Sequence, residues 1–135
     1  MLIDLNCDMG ELEDGSVEEA IMPHDTSANI ACGAHAGSEE ILARTIRLAE
    51  RFGVRVGAHP GYPDRANFGR VEMPLTSEEI AATVFSQIEW MAGRVPQIAH
   101  VKPHGALYNV AARDASVAEA IADGVARWNP RTILV

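Results

Sequence analysis

The sequence has few aromatic residues, few cysteines and no long uninterrupted apolar run. Phe, Trp and Tyr make up 5% of its 135 residues, so the core must be built mainly from Val, Ile, Leu and Ala. Its two cysteines, Cys7 and Cys32, are too few for a disulfide framework, and their spacing matches no zinc module. No window approaches about eighteen apolar residues, and no signal-peptide pattern opens the chain. These absences predict a protein of the reducing cytoplasm with no membrane association.

Positive charge is also scarce. Eleven Lys and Arg residues face nineteen Asp and Glu residues, which gives a formal net charge of −8 at pH 7. Such a balance disfavours nucleic acid and anionic membranes as partners. The length and the 47% hydrophobic content suit a single globular domain over residues 1–135 with a substantial core.

Four apolar runs typical of β-strands each lead directly into a cluster of ionisable or amide side chains. The runs and their clusters are 2–5 with 6–11, 28–31 with 32–37, 54–56 with 57–64, and 98–101 with 102–109. In α/β proteins, ligands and catalytic groups collect at the carboxyl ends of parallel strands, where the loops converge. The pattern therefore predicts one composite enzyme site.

Amphipathic segments between the runs predict helices, and their order predicts an α/β fold with a mostly parallel sheet and right-handed crossovers. The predicted helices cover about 17–21, 38–52, 76–93 and 115–128, and a fifth strand covers 131–135. Gly53 is placed to end the second helix and Thr76 to cap the third. Five strands cannot close an eight-stranded barrel. We therefore expect an open sheet or part of a larger protein.

Three of the five histidines are candidate catalytic residues. His35, His59 and His104 each follow a strand by a few residues and are flanked by small residues or proline, which brings an imidazole close to a ligand. His24 lies in a connecting stretch with no strand to orient it. His100 lies within the fourth strand, on the face that Lys102 shares but deeper.

Asp8 and Lys102 complete the predicted catalytic residues. Lys102 suits a carboxylate, a phosphate or a developing oxyanion. Asp8 with His35 and His59 forms either an acid–base network without metal or a divalent-metal site with open positions. Because these residues lie on separate loops and lack a local signature such as HExxH, we expect no required catalytic metal. The two cysteines are interpreted as small buried thiols rather than nucleophiles.

Five segments resemble the signatures of the LamB/YcsF lactam-utilisation family, and together they extend over essentially the whole chain. They are residues 4–11, 27–33, 57–60, 68–70 and 100–109, the last reading HVKPHGALYN. The resemblance implies a distorted (β/α) barrel-like fold, related to glycoside hydrolase and deacetylase barrels, with about five mostly parallel strands here as its N-terminal part. Members of the family run to roughly 250 residues, the size of one barrel domain. The chain is therefore expected to be truncated at its C-terminus. It departs from the family pattern at Ala34, Ser38 and Gly61, which are lining or turn positions.

The family is also described as the A subunit of a bacterial 5-oxoprolinase. Membership implies ATP-dependent opening of the lactam 5-oxo-L-proline to L-glutamate, which releases ADP and phosphate. It also implies that ATP is bound together with Mg²⁺ and that the chain works alongside subunits B and C. A homo-oligomer is a further expectation. The chain contains neither a Walker pattern nor a GxGxxG after a strand, so ATP would be bound by another loop design. The motif residues expected to bind substrate are Asn6, Glu11, Asn29, Arg70, Tyr108 and Asn109.

Two other functions fit the same residues. A metal-dependent deacetylase or amidohydrolase acting on a sugar or a cyclic amide would place Asp8, His35 and His59 on a divalent ion and would need no ATP. A catalytically incomplete association module would bind partner subunits without turnover.

Overall fold

Five parallel strands form one sheet, in the order β1-β2-β3-β4-β5, in a computed structural model that describes residues 3–135. The strands are β1 (Asn6–Met9), β2 (Ser27–Ala31), β3 (Arg55–His59), β4 (His100–Val101) and β5 (Ile133–Leu134). Because every strand runs in the same direction, all five carboxyl ends meet at one edge of the sheet. This confirms the α/β fold and places the four polar clusters at that edge.

Five α-helices connect and follow the strands, namely α1 (Ser16–Ile21), α2 (Glu39–Phe52), α3 (Ser77–Ala92), α4 (Gly105–Ala111) and α5 (Ala115–Trp128). Gly53 ends α2 in a left-handed conformation, at φ 68°, and Thr76 forms a capping box with Glu79 at the start of α3, both as predicted. The prediction missed α4, because the polar segment 102–109 was interpreted as one loop. Its buried Ala106, Leu107 and Val110 form a short helical stripe.

The first strand begins later than predicted. The apolar run 2–5 was expected to form it, but β1 starts at Asn6, which pairs with Ser27 of β2. Leu2 lies outside the described residues, while Ile3 and Leu5 are 80% and 54% exposed. An apolar run forms a strand only where a neighbour pairs with it. Asp8 therefore lies within a strand rather than in the loop after it.

Other strand bounds differ by a few residues. β3 continues through His59, so this histidine is the last residue of a strand rather than a loop residue, and β4 and β5 are two residues each instead of 98–101 and 131–135. The extension of β3 is set by pairing of Ala31 with His59 along β2. A strand therefore orients the His59 imidazole.

The amino-terminal edge of the sheet is held by Asp4. Its carboxylate accepts hydrogen bonds from Thr26 Oγ1 at 2.6 Å, from Ser27 Oγ at 2.7 Å and from Arg55 Nη2 at 2.6 Å. Thr26 immediately precedes β2, Ser27 begins β2 and Arg55 begins β3, so one side chain links the segment before β1 to β2 and β3.

The core lies between the sheet and the helices. Ile30 and Val101 of the sheet are fully buried together with Ile88 of α3, and α3 packs along α5. No helix within residues 3–135 is both long enough and apolar enough to cross a membrane.

Candidate active site

Asp8 is the centre of a hydrogen-bonded network that extends from β1 through β2 to β4 and the residue that follows β4. Its Oδ1 accepts hydrogen bonds from Asn29 Nδ2 at 2.9 Å and from Lys102 Nζ at 2.7 Å. The fully buried Asn29 also donates to Asn6 Oδ1 at 2.8 Å. Its own Oδ1 lies 2.6 Å from His100 Nε2. The orientation of the Asp8 carboxylate is therefore fixed by β2, β4 and the residue that follows β4.

Gly57 makes room for this chain of contacts. A Cβ atom at position 57 would lie 2.2 Å from His100 Nε2, closer than any non-bonded contact allows. The His100 ring therefore crosses over β3 at Gly57 to reach Asn29. Sequence reasoning did not find this role of Gly57, because it depends on a contact with a residue of another strand.

Two backbone carbonyl groups fix the imidazoles of His59 and His104. His59 Nδ1 lies 2.6 Å from the carbonyl oxygen of Lys102, and His104 Nε2 lies 2.9 Å from that of Phe68. A carbonyl oxygen only accepts, so each of these ring nitrogens carries a proton. The other two nitrogens, His59 Nε2 and His104 Nδ1, face each other at 3.0 Å.

Glu11 and His35 pack against this pair. Glu11 Oε1 lies 3.3 Å from His104 Nδ1, 3.3 Å from His35 Nε2 and 4.0 Å from His59 Nε2. The His35 ring stacks on His104 with centroids 3.8 Å apart and planes 2° apart. Glu11 was expected to bind substrate, but its carboxylate lies among three histidines. That position depends on the path of the loop after β1, which strand periodicity does not reveal.

Two buried side chains outside the predicted site hold the loops in place. Gln87 of α3 donates to the Gly61 carbonyl at 2.8 Å and accepts from the Gly61 amide at 3.1 Å, which clamps the loop after β3. Glu18 of α1 accepts from the Gly10 amide at 2.7 Å and from Thr45 Oγ1 at 2.8 Å, which holds the loop after β1. The sequence signal for Gln87 and for Glu18 is a polar side chain within an amphipathic helix.

The cluster changes the pKa of two site residues. Burial opposes ionisation of Asp8, but hydrogen bonding and charge from His59, followed by Lys102 and Asn29, hold its pKa well below the usual range. Burial, followed by the charge of His35, lowers the pKa of His104 to about 4. Near neutral pH, Asp8 is therefore a carboxylate and His104 a neutral imidazole.

The remaining predicted substrate-binding residues lie around this cluster rather than in it. The Arg70 guanidinium sits over the Phe68 ring, 5.1 Å from its centroid. Tyr108 and Asn109 are exposed on α4. Cys32 is buried, as expected, and burial raises the pKa of its thiol to about 12. Cys7 was expected to be buried as well, but it is only partly buried.

The structure thus brings Asp8, His35, His59, Lys102 and His104 together at the carboxyl edge of the sheet. Within residues 3–135, no Ser or Thr hydroxyl and no Cys thiol is hydrogen-bonded to His35, His59 or His104. The fold and the site define an α/β barrel-like protein whose polar groups suit activation of water by a carboxylate or an imidazole.

Comparison with known proteins identifies the particular family. The model of the LamB/YcsF family matches residues 3–135, and the chain belongs to that family, as its motifs indicated. It is 48% identical to the 5-oxoprolinase A subunit of Chloroflexus aurantiacus, over all of this chain and 56% of that protein. It is 50% identical to the protein of the same name from Geobacillus thermodenitrificans, over 98% of this chain and 54% of that one.

A solved structure agrees with the fold. The crystal structure of the lactam utilization protein from Thermus thermophilus superposes with a TM-score of 0.94 at 45% identity, over 99% of this chain and 57% of that one. The chain spans about half the length of the curated relatives it matches.

Proposed function

We propose that this chain, as one domain over residues 1–135, contributes to an ATP-dependent lactam hydrolase of the cytoplasm. The reaction opens 5-oxo-L-proline to L-glutamate and releases ADP and phosphate, with this chain acting as the A subunit beside subunits B and C. The observation that carries the proposal is the convergence of Asp8, Lys102 and the histidines at one edge of the sheet, in a chain whose relatives are named as the A subunit of 5-oxoprolinase.

An unstrained lactam resists attack by water, so its amide must first be activated. Transfer of the ATP γ-phosphoryl group, with Mg²⁺, to the amide oxygen makes the ring carbon electrophilic. Lys102, whose side chain is 27% exposed, then stabilises the negative charge that develops on the oxygens of the lactam or phosphate. A water molecule that loses its proton to a nearby base attacks the carbon. The ring C–N bond then breaks, the nitrogen leaves as an amine that takes up a proton, and a second water hydrolyses the resulting acyl phosphate to glutamate and phosphate.

The candidate bases are Asp8 and Glu11, whose carboxylates flank the histidine pair. Asp8 is 37% exposed and Glu11 is 15% exposed, so Asp8 is the one more open to a substrate. Asn29 is fully buried with its amide group hydrogen-bonded to Asn6, Asp8 and His100. We therefore assign Asn6 and Asn29 to positioning of Asp8, and leave Arg70, Tyr108 and Asn109 as substrate contacts at the rim.

Substitution of Lys102 tests the proposal directly. Coupled ADP release and glutamate formation are measured for the chain with its partner subunits. Lys102→Met and His59→Ala should each lower turnover by about 10²-fold or more, because the first removes an electrostatic donor and the second removes the imidazole that contacts the Asp8 carboxylate. The matched control is Arg47→Met, which removes one positive charge from the exposed face of α2 and should leave turnover unchanged.

Two results would count against the proposal. Near-normal turnover in Lys102→Met would remove that residue from the mechanism. Failure of the unaltered chain to support 5-oxoproline-dependent ADP release, with both partner subunits present, would remove the reaction itself.

The convergence of two imidazole nitrogens also favours a second candidate, a metal-dependent deacetylase or amidohydrolase. That enzyme would hydrolyse its amide without nucleotide. Product formation in the absence of ATP, abolished by a chelator, would support it over the lactam hydrolase.

A further inference from the structure

We propose that Asp8, His59 and His104 bind one divalent transition-metal ion through Asp8 Oδ2, His59 Nε2 and His104 Nδ1. These atoms lie within 4.8 Å of one another. The inference does not depend on the proposed function, because it concerns binding of an ion and not the reaction.

The first argument is that two acceptor nitrogens face each other. The carbonyl groups of Lys102 and Phe68 place the ring protons of His59 and His104 on Nδ1 and Nε2 respectively. In the neutral rings, His59 Nε2 and His104 Nδ1 therefore each present a lone pair, 3.0 Å apart. Two lone pairs at that distance repel unless a cation, either a metal ion or an added proton, lies between them.

The second argument is that Asp8 has an oxygen left for such a cation. Its Oδ1 is engaged by Asn29 and Lys102. Its Oδ2 lies 3.4 Å from His59 Nε2. Ligand atoms about 2.0–2.1 Å from one metal ion are about 3.0–3.4 Å apart in tetrahedral or octahedral geometry. Two of the three ligand separations therefore match without a shift of the backbone.

The third argument is the support behind the three ligands. A histidine that binds a metal usually donates its other ring N–H to a backbone carbonyl or a carboxylate, as His59 and His104 both do. The two rings are 1% and 5% exposed, so their orientation is held by packing. Two imidazoles and one carboxylate favour Zn²⁺, Co²⁺ or Fe²⁺ over Mg²⁺, which prefers oxygen ligands.

This ligand set replaces the one considered from the sequence. His35 was grouped there with Asp8 and His59, but its Nε2 faces Glu11 at 3.3 Å, and His104 takes its place. A competing group consists of Glu11, His35 and His104. We favour the Asp8 group because backbone carbonyl groups orient both of its imidazoles, whereas within residues 3–135 His35 Nδ1 has no hydrogen-bond partner that would orient its ring.

Binding of Co²⁺ and Zn²⁺ to the full 135-residue chain tests the proposal. After chelator treatment and dialysis, CoCl₂ should produce a visible d–d absorption band that saturates at one equivalent. ZnCl₂ should give the same stoichiometry by calorimetry and should abolish the cobalt band. A large excess of MgCl₂ should leave that band unchanged.

Variants identify the ligands. Asp8→Asn keeps the oxygen that Asn29 and Lys102 contact but replaces the proposed ligand atom, so it should weaken Zn²⁺ binding at least about tenfold, as should His59→Ala. The control His24→Ala removes an exposed histidine away from the site and should bind as the unaltered chain does. Circular dichroism checks that each variant is folded.

Three results would overturn the proposal. The first is the absence of saturable binding to the folded unaltered chain, which would leave an added proton as the cation between the rings. The second is multi-equivalent weak binding that is equal in all variants. The third is loss of binding in Glu11→Gln with full binding in Asp8→Asn, which would assign the ion to the competing group.

Discussion

Lys102 is the only lysine of the chain, since the other ten of the eleven basic residues are arginines. An ammonium group is a compact charge with rotatable donors, whereas a guanidinium is a planar fork suited to fixed paired contacts. Arginines of this chain form such contacts at the surface, as Arg127 does with both carboxylate oxygens of Glu78. The Lys102 ammonium group is held on Asp8, and its rotatable donors suit the contact with substrate that we propose.

Position near the carboxyl end of a predicted strand was enough to predict which residues would meet, although Asp8 and His59 lie within their strands rather than after them. Asp8, His35, His59, Lys102 and His104 were selected on that basis, and parallel pairing brings them together. The contacts among them were not predictable, because they depend on carbonyl groups and loop paths.

Gly61 shows how closely the histidines are packed, and it gives a test at the residue scale. A Cβ at this position would lie 2.9 Å from His35 Nδ1 and 3.2 Å from His104 Cβ. Gly61→Ala should therefore lower the free energy of unfolding by about 1–3 kcal/mol through overpacking, measured by urea denaturation. In the control Gly93→Ala, the nearest atom to the new Cβ is 3.8 Å away, and a change close to zero is expected. Equal losses in both variants would contradict this packing.

At the scale of elements, helices were predicted better than strands. Caps and apolar spacing identify α2, α3 and α5 because these signals lie within each segment. The bounds of β1 depend on a partner strand far away in the sequence, and so the run 2–5 was misassigned. The same dependence placed His59 in β3 instead of in a loop.

Asp4 tests the coupling of the segment before β1 to β2 and β3. Hydrogen bonds from Thr26 and Ser27, with the nearby Arg55 charge, lower its pKa to about 2. The ionised carboxylate therefore stabilises the fold fully above the ordinary unfolded pKa of about 4, and this stabilisation is lost as pH falls toward 2. Because the side chain is 41% exposed, we expect Asp4→Asn to cost less than about 1 kcal/mol at pH 7.

The measurement is the free energy of unfolding of Asp4→Asn and of the unaltered chain between pH 2 and pH 7. The difference should be largest near neutrality and should shrink at the acid end. The control Glu13→Gln changes an exposed carboxylate, and a comparable pH-dependent difference there would refute the role given to Asp4.

At the scale of the whole molecule, the outer edge of β5 exposes a run of apolar side chains. Ile133, Leu134 and Val135 are 62%, 41% and 52% exposed. Leu134 and Val135 also border a cavity of about 200 Å³ that Tyr108 and Ile121 line. Exposed apolar edge strands promote pairing between chains.

We therefore expect the 135-residue chain to self-associate, as measured by size-exclusion chromatography with light scattering. Ile133→Lys should shift it toward monomer, because a lysine on an edge strand opposes pairing. Val17→Lys, at an exposed valine of α1, is the control and should not change the association. A monomer for the unaltered chain at all concentrations would contradict the expectation.

The sequential order of the five strands has a consequence for how the chain folds during synthesis. Each strand after β1 can dock on the edge left by the one before it, so β2 to β5 do not have to wait for a partner that the ribosome has not yet made. The pieces of the site become available in the same order. Asp8 and His35 are in place early, whereas Lys102 and His104 arrive only when β4 docks beside β3. Nascent chains that end between His59 and Lys102 would thus carry the sheet's first three strands but could not yet bind a ligand that needs both sides of the cluster.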